Sequence, residues 1–199
     1  MNINPMILLA VKMIMVSVIS LTVGIMLHNV MKKQGLKTGK TITMILSVLI
    51  ALGLTLRFGV SVYTFQGLFL FFLLLYASIS DITSRTIQDS VSVSILALSL
   101  VSIQSVGIVS MMAGSMIVCF VQLIVCLCNE GRHGGADMKI TTASAFLLGF
   151  SRGLVSLILG LLIGIVFMLI YNKIKKRNNK EGFPLMPFVS LSIMSLFFV

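Results

Sequence analysis

Five carboxylates occur in this chain of 199 residues: Asp81, Asp89, Glu130, Asp137 and Glu181. All fall in short polar breaks between apolar runs, and two of them, Asp81 and Asp137, stand at the edge of such a run. Two carboxyl groups that share a site cannot both ionise easily, so one keeps a proton while the other polarises a water. The pattern predicts a pair of catalytic carboxyl groups at the rim of a membrane bundle, with no metal or organic cofactor. Asp81 ends a span, where a negative charge opposes the helix dipole unless function or a basic partner such as Arg85 justifies it. Asp89, followed by Ser90 and an apolar run, fits a helix cap. Capping is also the plain alternative for Asp137, but Gly134 and Gly135 before it and Lys139 after it weigh toward chemistry.

The elements that must position these acids follow from composition. The chain is 58% hydrophobic and 10% charged, with a mean hydropathy of +1.13. Its repeated apolar stretches of about 15 to 25 residues indicate a polytopic membrane protein. Rich in Leu, Ile, Val, Met and Phe without strand-like alternation, they satisfy their backbone amides in lipid as helices. Eight runs are expected, at 6–30, 41–56, 60–80, 87–106, 108–128, 140–150, 154–171 and 183–199, giving one all-α domain over 1–199 with about eight transmembrane helices. The first is long enough to remain as a helix and lacks the flanks of a signal peptide.

Charge supports this count. Lys32, Lys33, Lys37, Lys40, Arg85, Arg132, Lys139, Lys173, Lys175, Lys176, Arg177 and Lys180 fall on one side of the membrane, with Arg57 and Arg152 on the other. The positive-inside rule then makes 31–40 a short cytoplasmic basic link and puts all five acids on the cytoplasmic face of the cell membrane, with both termini outside. Lys12, inside the first run, can snorkel to the interface. The net charge of +10 sits in short loops, not in a basic domain, so it marks topology and lipid contact and not a nucleic-acid partner. Cys119, Cys126 and Cys128 share one apolar run and read as packing residues, and a lone His133 makes no metal site. The sixth run is the short one. From Met138 to Phe150 a helix covers about 20 Å against a hydrocarbon core of about 30 Å. It is expected to start below the cytoplasmic surface and to carry Asp137 partly into the membrane.

Around the first acid the chain reads Ser80-Asp81-Ile82-Thr83-Ser84-Arg85-Thr86-Ile87-Gln88-Asp89, and around the second Gly134-Gly135-Ala136-Asp137-Met138-Lys139. These residues resemble the type IV prepilin peptidase family, which has one aspartate at a helix end and a second in a Gly-x-Gly-Asp motif followed by a hydrophobic residue and Lys. Phe183-Pro184-Leu185-Met186-Pro187-Phe188 looks like the family's Pro-x-x-Pro-aromatic entry to its last helix, so the resemblance covers 80–188. Ala136 stands where the second motif glycine is usual, and Gln88-Asp89 replaces the usual Pro-Asn. The cysteine-bearing loop of bifunctional members is missing, so the resemblance implies peptidase activity without N-methyltransferase activity.

The resemblance further implies an aspartic endopeptidase with Asp81 and Asp137 as its dyad, Gly134, Gly135, Ala136 and Lys139 supporting the motif, and Arg85 beside the first acid. The implied partners are pilin-like precursors that present a basic leader before an apolar helix, with Glu130 and Glu181 as weak candidates for meeting that leader. The glycines would let the backbone approach a substrate strand and turn into the helix. Gly160-Leu161-Leu162-Ile163-Gly164 is expected to pack within the chain. Two rivals remain: a non-enzymatic membrane component, either a proton-coupled carrier or an assembly subunit, and a degenerate homologue that binds precursors without cutting them.

Overall fold

The computed structural model describes residues 5–36, 38–128, 134–175 and 183–199. Glu130, His133 and Glu181, together with Lys37, Arg132 and the basic positions from Lys176 to Lys180, lie outside the described residues. Apolar runs of this length leave only one way to satisfy the backbone in lipid, and the described residues are helical with short connections. Among the described residues, six rods are long and apolar enough to cross a membrane. They are α1 (Pro5–Lys33), α2 (Lys40–Phe58), α3 (Val62–Ser84), a composite of α4 (Asp89–Ser99), a 3-10 turn (Leu100–Ser102) and α5 (Ile103–Val106), then α6 (Ile108–Cys128) and α8 (Phe150–Lys175). The remaining two expected runs form shorter helices, α7 (Gly135–Leu148) and α9 (Met186–Phe198), of 14 and 13 residues. The chain is a polytopic, all-α membrane protein.

Contacts group the chain into two compact units, Met1–Phe72 with Phe198, and Leu73–Phe197 with Val199. In the first, α1 and α2 pair. The Ser20 hydroxyl donates to the Ser47 carbonyl at 2.8 Å, and Gly24 lies so close to Ser47 that a Cβ there would stand 2.5 Å from its Oγ. Small residues and hydroxyls supply the close approach that lipid does not drive.

The second unit holds all the candidate site residues. Here α7 packs against α4, α6 and α8, and half of its positions are buried: Ile140, Thr141, Ala143, Ser144, Ala145, Leu147 and Leu148. It ends at Gly149, which takes φ 82° and whose Cβ would collide with the Val106 side chain, so both conformation and space demand glycine. The turn therefore falls at Gly149 and not at Ser151-Arg152-Gly153, which belong to the first turn of α8. Along α8, a Cβ on Gly160 would meet the Val189 Cα at 2.9 Å and one on Gly164 the Leu185 Cδ1 at 2.8 Å. The GxxxG face thus receives the start of α9 from the same chain. Two hydroxyl contacts fasten α9 further: Ser78 Oγ donates to Ser190 Oγ at 2.9 Å, and Ser192 Oγ to the Ser156 carbonyl at 2.7 Å.

Candidate active site

Asp81 sits in the last turn of α3, immediately after the end of its apolar run, and is only 8% exposed. The helix stops because Arg85 turns left-handed, with φ 54°, while its N–H closes on the Asp81 carbonyl at 3.1 Å. Ser80 Oγ caps the exit by donating to the Thr86 carbonyl at 2.6 Å. The Asp81 carboxylate turns inward and accepts the Met186 backbone N–H at 3.0 Å, with the Leu185 N–H as a second, weaker donor. These are free N–H groups at the start of α9, whose positive end suits a carboxylate. Arg85 lies near enough for its charge to act on the same carboxylate, without forming an ion pair with it.

The approach to Met186 is held by aromatic rings. Phe183 and Phe188 stack at 5.6 Å, and Phe167 of α8 meets them at 5.8 and 5.0 Å. This fixes Phe183-Pro184-Leu185 against α8 and so fixes where the Met186 N–H points.

Asp137 occupies the first turn of α7. The helix cap is Gly134, and it makes no side-chain cap, so Asp137 is not the N-cap. Instead its carboxylate folds back over Gly134, where a Cβ would stand 3.0 Å from Oδ2. Gly134 has an ordinary φ of −65°, so closeness and not backbone freedom is what glycine supplies there. Gly135 has open space above its Cα, and Ala136 is half-buried beside the acid. Asp137, Gln122, Thr141, Leu185 and Val189 line a cavity of about 30 Å³, room for a water molecule or two.

The two acids face the same stretch of chain. Leu185 lines the cavity of Asp137 and its neighbour Met186 binds Asp81, and the Asp81 charge is felt at Asp137. The sequence model of the type IV leader peptidase family matches residues 68–169, just over half of the chain, and includes Asp81, Asp137 and Lys139. The chain belongs to the type IV leader peptidase family. No curated protein and no solved structure shows a significant match. For a leader peptidase, the entry to α9 is then of special interest, because Leu185 and Met186 lie beyond the matched residues yet contact the acids.

One expectation needs correction. Asp89 does not cap α4: Gln88 is the cap residue, no side-chain cap bond forms, and Asp89 lies in the first turn. Its carboxylate instead takes both bonds from Lys139 Nζ, at 2.8 and 2.9 Å, an ion pair across 50 residues with both side chains more than half exposed. Lys139 therefore ties the start of α7 to the start of α4, while neither Asp81 nor Asp137 pairs with it. Missed by sequence reasoning was the Met186 N–H, whose approach motif was seen only as a helix entry.

Proposed function

We propose that this leader peptidase is an aspartic endopeptidase of a single membrane-embedded domain, which removes the short basic leader from prepilin or pilin-like precursors at the cytoplasmic face of the cell membrane. Asp81 and Asp137 are its dyad. The observation that carries the reading is that two acids from separate helices, both within the family match, meet the same Leu185–Met186 link, Asp81 through the Met186 N–H and Asp137 through the small cavity that Leu185 also lines. One carboxyl keeps the shared proton and the other takes a proton from water as its oxygen adds to the scissile carbonyl carbon. The protonated partner gives its proton to the carbonyl oxygen; collapse of the resulting diol breaks the C–N bond, and the amine leaves with a proton returned from the dyad. The pair titrates as one unit, so cleavage should fall at both low and high pH.

The open space at Gly135 supports a substrate entering there, where the backbone can be approached by an extended strand. Basic residues flanking the spans favour the cytoplasmic side for both acids. The test is co-expression with a pilin-like precursor, read as a gel shift, for the intact chain and for Asp81→Asn and Asp137→Asn separately. Cutting by the intact chain and by neither variant, with all three accumulating in membranes, is the expected result. Cutting that survives either substitution would sink the dyad.

A further inference from the structure

Gln122 stands out in α6 as a carboxamide buried to 3% exposure between apolar neighbours such as Val121 and Val125. An amide in such surroundings is costly to desolvate unless it finds partners. Its Nε2 donates to Thr141 Oγ1, and Thr141, itself 6% exposed, donates through that hydroxyl to the main-chain carbonyls of Asp137 at 2.8 Å and Met138 at 3.1 Å. A threonine bonding back one turn is ordinary. A second helix donating to that threonine is not. The contrast lies on α7 itself, where the Thr142 and Ser144 hydroxyls are buried without a partner.

Building on the dyad reading, we infer that Gln122 and Thr141 are positioning residues, a two-bond relay that fixes the first turn of α7 against α6 and so aims Asp137 into the cavity that all three line. Neither relay residue needs to touch the scissile bond. Their task is to keep the backbone of Asp137 from sliding along α6, since a displacement of about 1 Å at a reacting group lowers rates on the order of 100-fold.

The test uses the full chain in detergent with a precursor peptide. Thr141→Val and Gln122→Leu should each lower kcat about tenfold with KM within about twofold, Thr141→Ser should restore most of the loss, and the double variant should be no worse than either single one, as expected for one coupled unit. Thr142→Val serves as the control and should cut like the parent chain. A second readout needs no substrate: carbodiimide-driven coupling of glycine methyl ester to Asp137, followed by mass spectrometry across pH. Its midpoint should move by about half a pH unit or more in Thr141→Val and Gln122→Leu and return in Thr141→Ser. Labelling and kcat that stay at the parent values in both relay variants would overturn the inference. A shifted labelling midpoint in a chain that cuts no precursor would uphold the relay and remove the peptidase reading instead.

Discussion

The end of α3 and the start of α7 each carry one acid, and they hold it by opposite means. Asp137 lies at the positive end of its own helix, which favours a negative charge there. Asp81 lies at the negative end of its helix and is made tolerable from outside, by the Met186 N–H and the nearby Arg85 charge. One acid is thus supported by the helix it belongs to and the other by a helix that begins 105 residues later. The lesson is that the same side chain in the same site can be placed locally or by distant packing, and that the two placements fail differently.

Loss of either acid should erase the difference: Asp81→Asn and Asp137→Asn are each expected to lower cleavage at least about 1,000-fold, equal effects despite unequal support. The comparison sharpens with Gly164→Leu, which would drive Leu185 from α8 and pull the Met186 N–H away from Asp81 while leaving α7 untouched. Cleavage should fall about 100-fold, with a loss of about 1 to 3 kcal/mol in thermal stability in detergent. Gly134→Ala probes the other end. The added Cβ would press on Asp137 Oδ2, and turnover should drop about tenfold with stability changed by less than about 0.5 kcal/mol.

Smaller effects separate charge from strain at Arg85. Replacement by Gly should raise stability by about 1 kcal/mol over Arg85→Ala, because only glycine relieves the left-handed backbone, while both variants remove the charge beside Asp81. Thermal melts of the two variants side by side would show it. The smallest change expected is Lys139→Met. Its exposed ion pair with Asp89 should contribute under about 1 kcal/mol, and the difference from the parent chain should vanish in high salt.

Hydropathy marked the rods well because lipid imposes both apolarity and helix on the same residues. It marked their ends less well. α3 continues to Ser84 beyond its apolar run, and α8 begins at Phe150 and not at Leu154, because hydrogen bonding and not hydropathy ends a helix. The acids were legible for a related reason: in a chain this apolar, a carboxylate at the edge of a span is conspicuous. Their partners were not. The Met186 N–H is a main-chain group with no side-chain signature, and the Asp89 to Lys139 pair spans 50 residues that no local pattern connects. Gln122 had a signal, a lone carboxamide late in an otherwise apolar run, but its meaning depends on Thr141 arriving from the next helix.

The bond from Met186 to Asp81 also orders events in time. A growing chain carries both aspartates long before residue 186 emerges from the ribosome, yet the donor that orients the first of them has not been made. The last helix is therefore the one that completes the surroundings of Asp81, and a chain that has not yet reached it holds both acids without that donor.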